Sequence, residues 1–493
     1  MNKNKRNSLW LALQYLIGLI ISLITLKLNL SQYGEQIFGG WILLSSLWGF
    51  GKVIDLGYGT ALIKYIAEFK NDPDKKINSV IATSFLLFIV FGFLIFIIIV
   101  LVAEYFYLND EKLIRPDFRD NANTFFLILG AGFYFRYIST FFRSIFEGYS
   151  EFVFTSKLSI ILSLSIFISV VIVYLLKLSL IYLSLLYSLS SLLIFFILVF
   201  KFNKFKSLKT LSFDNFSFGL AKQMTSFSIG IQGASIFGNM IDPIIKYSLG
   251  HFYSINSISY YEIAQRFSTG VTGLFNTTFR TVLPKASALK TKEEVNLFLN
   301  IEGSKLSKLG ITYAGLMYGV MSIGFTLFIK LWFGFDEAVI FFLILSLSES
   351  INKFGFSIYN FFMGTGRVYF LAMIQLINLI IVVFGLFLGF LIFKNNMGLL
   401  GYFVTTMIVN VLMLIKLKAE TGYSITKFLM EAEVIKLLLL VFSLLTAVCT
   451  INFANVDFVI PVTLLSLCNI IIFYSNIRKY SLKLFSLLTV GIR

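Results

Sequence analysis

Charged side chains interrupt five of the long apolar segments in this sequence. They are Lys52, Asp55, Arg136, Asp242, Glu262, Arg266, Glu349 and Lys353. A charge near the centre of a lipid bilayer costs roughly 2.5–3.5 kcal/mol on insertion scales. Such a side chain is expected to face water, an oppositely charged partner or a ligand. These residues are therefore the candidates for chemistry in this chain.

Six of these residues form pairs with helical spacing. Lys52/Asp55 are three residues apart, and Glu262/Arg266 and Glu349/Lys353 are four apart. Partners at these spacings share a helix face and partly neutralise each other. The pairing favours a structural role in holding helices together. Arg266 and Lys353 nevertheless remain candidates for binding an anionic substrate.

Arg136 has no acidic neighbour on its own predicted helix. An arginine fork can bind a phosphate through two parallel hydrogen bonds. We therefore predict that Arg136 faces an anionic substrate, with a structural role as the alternative. Asp242 precedes Pro243 inside another predicted helix, where proline removes a backbone hydrogen bond. We interpret this dipeptide as a hinge or a static kink, and Asp242 also as a candidate site for a coupling ion.

The elements that carry these residues are long apolar helices. Of the 493 residues, 58% are hydrophobic and 13% charged, whereas soluble domains carry about 25% charged residues. A span needs about 20 apolar residues, and β-barrel strands are about half as long. We predict fourteen helices, at 8–30, 38–60, 79–103, 123–146, 152–175, 179–200, 220–246, 255–283, 308–330, 337–360, 369–393, 397–416, 434–454 and 457–475. The predicted fold is an all-α polytopic membrane protein.

The basic residues predict the orientation of these helices. With the N-terminus inside, 29 of the 41 Lys and Arg residues lie in inside segments and 8 in outside segments. Cytoplasmic loops carry such an excess, so both termini are predicted to be cytoplasmic. The basic residues of these loops then account for most of the net charge of +16. They are expected to contact anionic lipid headgroups. The net charge does not require nucleic acid as a partner.

Short sequence matches indicate an internal repeat. Residues 146–148 (FEG) match 362–364 (FMG) at an offset of 216, Thr60 and Lys64 match Thr281 and Lys285 at 221, and Ser8 and Gln14 match Ser226 and Gln232 at 218. Two six-helix lobes plus two further helices are therefore predicted. The boundaries are an N-terminal lobe at 1–200, a cytoplasmic linker at 201–219, a C-terminal lobe at 220–416, a linker at 417–433, helices at 434–476 and a cytoplasmic tail at 477–493. Transporters built from such repeats bind their substrate between the lobes.

Several kinds of site are not indicated by the sequence. Cys449 and Cys468 lie in apolar segments without a partner spacing, and His251 has no acidic or cysteine residues around it at metal-ligand spacing. No nucleotide-binding loop of Walker type is present. We therefore predict no catalytic residue, no metal and no cofactor, and we expect that the protein is not an enzyme.

Four motifs resemble the Wzx-type polysaccharide flippases of the multidrug/oligosaccharidyl-lipid/polysaccharide exporter superfamily. They are residues 38–41 (FGGW) with 55–68 (DLGYGTALIKYIAE), the turn at 146–148, Asp242 with 249–250 (LG), and 260–264 (YYEIA). The resemblance implies translocation of an undecaprenyl-diphosphate-linked oligosaccharide, for O-antigen or capsule synthesis, to the outer face of the bacterial inner membrane. It also implies alternating access, and a polysaccharide polymerase and chain-length proteins as partners.

Three alternatives to this function remain open at the sequence level. Fourteen helices are also found in the lipid II flippase branch of the superfamily. A multidrug or cation antiporter would have the same fold, although acidic cavity residues would suit cationic substrates better than Arg136. A membrane glycosyltransferase or polymerase would need a large outside loop, and the longest outside loop here is 104–122.

Overall fold

Long apolar helices dominate the structure, as the sequence predicts. The computed structural model describes residues 3–49, 58–69, 76–110, 116–205, 211–278, 303–365, 367–422, 424–454 and 456–490. Throughout these ranges the regular secondary structure is helical. Ten of the described helices are long and apolar enough to cross a membrane, or eleven when one bent pair is counted as a span. The chain is a multi-pass membrane protein.

Seven helices precede residue 253. They are α1 (Lys3–Gly49), α2 (Tyr58–Phe69), α3 (Lys76–Val102), α4 (Pro116–Gly148), α5 (Phe152–Leu175), α6 (Leu180–Phe205) and α7 (Phe218–Phe252). A π-helical turn, Ala103–Leu108, extends α3, and a 3-10 turn, Phe213–Asn215, precedes α7. Helices α1 to α7 overlap the first seven predicted spans, and residues 50–57 of the second span lie outside the described residues.

Nine helices follow in the described part of the chain. They are α8 (Ile255–Thr278), α9 (Ser304–Ala314), α10 (Ser322–Phe333), α11 (Asp336–Gly364), α12 (Val368–Phe393), α13 (Leu400–Thr421), α14 (Ile425–Glu431), α15 (Val434–Phe453) and α16 (Val459–Val490). A π-helical segment, Gly315–Val320, joins α9 to α10, and the two arms of this pair are bent by 44°. The ninth predicted helix, 308–330, is thus a broken span. Each of the fourteen predicted helices overlaps a helical segment.

The first two predicted helices differ from the structure in their ends. They are joined in α1, where Gly34 has φ +72° and changes the chain direction without a loop. A side chain would be strained in this conformation, and glycine is not. Helix α2 reaches Phe69, beyond residue 60 where the second predicted helix ends. Its Lys64 and Glu68 lie on the exposed face, whereas Leu62 and Ile66 are buried.

The helices form two compact units, Met1–Ser259 and Tyr260–Arg493. Helix α7, which the sequence assigns to the C-terminal lobe, makes its contacts within the first unit. The lobe boundary at 201–219 stays a prediction. Helix bounds agree with the internal repeat: α4 ends at Gly148 and α5 begins at Phe152, and α11 and α12 show the same end and start 216 residues later, at Gly364 and Val368.

Aromatic rings form much of the interior of the N-terminal unit. The Trp48 indole lies 5.0–5.3 Å from the rings of Phe96, Phe126 and Phe133. Further along α4, the rings of Phe141 and Phe142 are almost completely buried. Aromatic clusters of this kind bury large apolar areas in fixed geometry. They anchor α4 by one face and leave its other face free to carry polar groups.

Helices α15 and α16 are attached to α9 at the end that is predicted to be cytoplasmic. Asn476 Nδ2 donates a hydrogen bond to Thr312 Oγ1 at 2.7 Å. Glu433, just before α15, forms ion pairs with Lys308 and Lys436. Burial alone would raise the pKa of the Glu433 carboxyl, but hydrogen bonds from these two ammonium groups outweigh it and lower the pKa. The Glu433 carboxylate therefore stays ionised and links α9, through Lys308, to α15, through Lys436.

Candidate functional site

Helix α4 carries a polar stripe along its accessible face. At a periodicity of 3.6, residues spaced four, three and four apart lie on one side of a helix. The residues of this stripe are Arg136, Thr140, Arg143 and Glu147. All four side chains are accessible or partly accessible, whereas Phe141 and Ile145 on the opposite side are buried. We call this set the α4 stripe.

Arg136 lies at the middle of its span. The span runs from Ala122 to Gly148, which places Arg136 about 20 Å from either end at a rise of 1.5 Å per residue. The side chain is exposed, and within the described residues its guanidinium makes no hydrogen bond or ion pair. An arginine facing lipid at this depth would be costly. The α4 stripe is therefore expected to face water or a ligand.

Arg143 is a member of this stripe that sequence analysis did not identify. Arg143 lies in the predicted helix 123–146, but it was counted only among the basic residues that predict the orientation. Its Nε donates a hydrogen bond to Glu147 Oε1 at 2.8 Å. The spacing of seven residues from Arg136 could have identified Arg143 from the sequence, because seven residues are nearly two full helical turns. Two arginines thus lie on one face, about 10 Å apart along the helix.

Lys353 is placed differently from Arg136. Its side chain is 4% exposed and pairs with Glu349. Its Nζ also donates to Thr272 Oγ1 at 3.1 Å, and this hydroxyl donates to Glu349 Oε2 at 2.7 Å. The predicted pair is present, and it lies inside the C-terminal unit between α8 and α11. In this conformation the ammonium is already neutralised, so substrate binding by Lys353 stays an unsupported prediction.

The pair Glu262/Arg266 is also present. Arg266 Nη2 lies 2.8 Å from Glu262 Oε1, and Nε donates to the same oxygen at 2.9 Å. Arg266 is about one-third exposed while Glu262 is nearly buried. The arginine therefore keeps part of its fork accessible. The third predicted pair, Lys52 and Asp55, lies outside the described residues.

Asp242 has a partner that the sequence analysis did not assign to it. Lys246 Nζ lies 2.9 Å from Asp242 Oδ2, one turn further along α7. The sequence had placed Lys246 at the outer end of its helix, but α7 continues to Phe252. Helix α7 continues without a break through Pro243. In this conformation the Asp242 carboxylate forms an ion pair with the Lys246 ammonium group. The roles of Asp242 in ion coupling and of Pro243 as a hinge stay predictions.

Helix α11 has an accessible face at the positions equivalent to the α4 stripe. Its side chains are Asn352, Phe356, Tyr359, Asn360 and Met363. Asn352, Phe356, Tyr359 and Met363 follow the four members of the α4 stripe by 216 residues. Within the described residues the Tyr359 hydroxyl makes no hydrogen bond, and Asn360 Nδ2 donates to the Phe356 carbonyl oxygen at 2.8 Å. We call this set the α11 face. It carries amide and aromatic groups where the α4 stripe carries charges.

Metal ligation has no candidate cluster in the described part of the chain. No group of three or more His, Cys, Asp or Glu side chains lies close enough there to hold an ion. The acidic partner of His251 among the described residues is Asp110, whose Oδ2 lies 2.8 Å from Nδ1. The chemistry available at the accessible sites is therefore anion binding by arginine and hydrogen bonding by amides and hydroxyls.

The family of this chain follows from its sequence. A family model described as polysaccharide biosynthesis protein matches residues 4–290, which is more than half of the chain. The chain belongs to the polysaccharide biosynthesis protein family. The match includes all of α1 to α8 and therefore the whole α4 stripe. No curated protein sequence matches this family member significantly.

Solved transporters share the fold of this family member. An inward-facing multidrug resistance MATE family transporter of the MOP superfamily aligns with a TM-score of 0.64 and 13% identity, over 83% of this chain and 98% of its own. The lipid II flippase MurJ, inward closed, aligns at 0.61 and 17%, over 96% and 99%. A MOP superfamily transporter from Pyrococcus furiosus aligns at 0.53 and 13%, over 85% and 96%. The predicted exporter-superfamily fold is confirmed.

Proposed function

We propose that this protein is a flippase that moves an undecaprenyl-diphosphate-linked oligosaccharide from the cytoplasmic to the outer face of the bacterial inner membrane. The observation that carries the proposal is the accessible Arg136 guanidinium, at mid-span and without an acidic partner in the described residues. A diphosphate supplies the anion that such a group requires. Membership of the polysaccharide biosynthesis family and the fold of flippases and transporters support it.

The α4 stripe suits a head group that travels along the helix. In the predicted orientation, Arg143 lies near the cytoplasmic end of α4 and Arg136 about 10 Å deeper. Arg143 would meet the diphosphate first, and Arg136 would hold it at mid-membrane. An arginine fork binds phosphate oxygens bidentately, which fixes the orientation of the head as well as its position. Neither of these two binding steps requires nucleotide hydrolysis.

The α11 face carries groups of the kind that bind sugars. Amide groups and a tyrosine hydroxyl donate and accept hydrogen bonds, and the aromatic rings of Phe356 and Tyr359 offer flat apolar surfaces. A neutral glycan needs such groups and no net charge. The α11 face therefore offers groups that can hydrogen-bond to sugars and pack against their rings.

Lipid II flipping is a second candidate function. The described helices include α15 and α16, and the lipid II flippase aligns over 96% of this chain. Its substrate also carries an undecaprenyl diphosphate, so the α4 stripe would serve both substrates. Parallel assays with lipid II and with a capsule-type or O-antigen-type oligosaccharide on the same carrier separate the two functions. Faster transport of the oligosaccharide is expected under our proposal.

Arg136→Ala tests the proposed function. Purified protein in proteoliposomes is assayed with a fluorescent undecaprenyl-diphosphate oligosaccharide, and the fraction exposed on the other leaflet is measured over time. A charge-assisted hydrogen bond contributes about 1.5–3 kcal/mol, so the transport rate is expected to fall roughly tenfold to a hundredfold. Arg136→Lys, which keeps the charge but not the fork, should lose less.

Arg367→Ala is the matched control for this test. Arg367 is an exposed arginine that pairs with Glu420 outside both accessible faces. Its removal should leave the transport rate unchanged. Transport at the wild-type rate by Arg136→Ala, in protein of normal abundance and thermal stability, would remove Arg136 from the site and leave the proposal without its main support.

A further inference from the structure

Arg143 is held by an acidic residue of its own helix. Its Nε lies 2.8 Å from Glu147 Oε1, and both side chains are partly accessible. Within the described residues, each group has the other as its ion partner. Arg136, on the same stripe, has none. The two arginines of the α4 stripe therefore differ: the one near the predicted cytoplasmic end carries its own anion, and the one at mid-span is free.

Helix stability does not explain Glu147. The residue lies in the last turn of α4, which ends at Gly148. Carbonyl groups make that end of a helix negative, so a carboxylate there is unfavourable. The order of the pair is also the weaker one, because the acid stabilises a helix better when it precedes the base. A pair selected only for helix stability would have the opposite order.

The internal repeat also argues against an architectural role. Helix α11 ends with the same Phe-x-Gly pattern as α4, and the following helices begin four residues after each glycine. At the positions equivalent to Arg143 and Glu147, α11 has Tyr359 and Met363. The turn after α11 therefore forms without an ion pair at these two positions. The pair belongs to the charged stripe rather than to the turn.

We propose that Glu147 is a resident counter-anion of Arg143, which the substrate diphosphate displaces on entry and which recovers the arginine when the head group leaves. The inference rests on the proposed function. An i,i+4 pair that is partly exposed is weak, about 0.2–1 kcal/mol, so a diphosphate with two negative groups can replace the carboxylate. The exchange keeps Arg143 neutralised at every stage. It also prevents the arginine from retaining the head group too strongly.

Binding of farnesyl diphosphate, a short polyprenyl diphosphate, tests the exchange. Full-length protein in lipid nanodiscs is titrated by calorimetry. Glu147→Gln removes the competing anion, so Kd should fall roughly twofold to fivefold. Arg143→Ala should weaken binding, and Glu147→Gln should have no further effect in that background, because the two changes act on one interaction. In the transport assay Glu147→Gln should be slower than wild type, since release is slower.

Glu420→Gln is the matched control. Lys416 and Glu420 have the same spacing and order, lie near the end of α13, and have similar exposure to the α4 pair. This variant should leave Kd unchanged. An equal tightening by Glu420→Gln would show a general effect of charge and overturn the exchange.

Two further outcomes are decisive. If wild-type protein binds farnesyl diphosphate and Arg136→Ala weakens the binding, but Glu147→Gln leaves Kd unchanged or raises it, the exchange is wrong and the proposed function stands. If wild-type protein does not bind the diphosphate, the proposed function fails and the exchange fails with it. If Glu147→Gln is unstable, the swap variant Arg143→Glu/Glu147→Arg is used instead, because it keeps an ion pair on the helix. Weaker binding of farnesyl diphosphate by the swap variant supports the exchange. Binding by the swap variant with the Kd of the wild-type protein overturns it.

Discussion

Single residues in the two units carry intramembrane charge in different ways. Arg136 leaves its charge accessible, whereas Lys353 is enclosed by Glu349 and Thr272. Removing one member of a buried pair leaves an uncompensated charge, which typically costs 3–5 kcal/mol. Removing both charges is much less costly. The difference gives a test of the structural role of the Glu349/Lys353 pair.

Lys353→Met is expected to destabilise the protein strongly, by roughly 3–5 kcal/mol. The double variant Lys353→Met/Glu349→Gln should recover most of this loss, because it leaves no unpaired carboxylate at position 349. Thermal unfolding of the purified protein in detergent, followed by tryptophan fluorescence, measures both. A double variant with a Tm as low as that of the single variant would show that packing of the lysine stem, and not its charge, holds the two helices together.

At the scale of elements, the broken span α9–α10 depends on a close approach by α16. The ring of Phe473 lies against Gly315, where any Cβ would overlap its atoms. Phe473 is fully buried, so the ring cannot move into free space. The π-helical segment Gly315–Val320 starts at this glycine. The packing of α16 and the irregular segment are therefore connected through one residue.

Gly315→Ala is expected to destabilise the C-terminal unit by about 1–3 kcal/mol, the usual cost of overpacking. Gly324→Ala is the control, because a Cβ on Gly324 meets nothing within 4 Å; in a helix that change should be neutral or stabilising. Thermal unfolding in detergent compares the two variants. Equal Tm values would mean that α16 can shift away from α9 without loss.

At the scale of the whole molecule, the orientation in the membrane is a prediction from the basic residues. The segments 104–122 and 201–219 are predicted to lie on opposite sides. Asn109→Cys and Ser212→Cys, each in a chain whose Cys449 and Cys468 are replaced by alanine, place one thiol in each segment. A membrane-impermeant maleimide should label Asn109→Cys in intact cells and Ser212→Cys only after lysis. Labelling of both in intact cells would refute the orientation.

Local sequence signals determined most of the helices and the charge pairs. Apolar length predicted fourteen helices because backbone groups in lipid must be satisfied within each helix. Spacing predicted the pairs at Glu262/Arg266 and Glu349/Lys353, because partners four residues apart meet whatever the rest of the fold does. Arg136 stood out because its predicted helix has no acidic residue at a spacing that would pair with it. The joining of the first two predicted helices at Gly34 was missed, because the polar residues 31–36 (SQYGEQ) around this glycine look like a loop in the sequence.

Tertiary structure alone decided which charges are accessible. Lys353 and Arg136 are both cations inside predicted spans, but α8 covers Lys353, whereas the packed face of α4 turns Arg136 outward. Lys246 was taken for a helix end because a lysine is costly in lipid, yet Asp242 neutralises it inside α7. Glu147 joins the stripe only because α4 continues to Gly148, beyond the predicted end at residue 146. Hydropathy and spacing describe one helix at a time, whereas burial of a charge depends on the neighbouring helices.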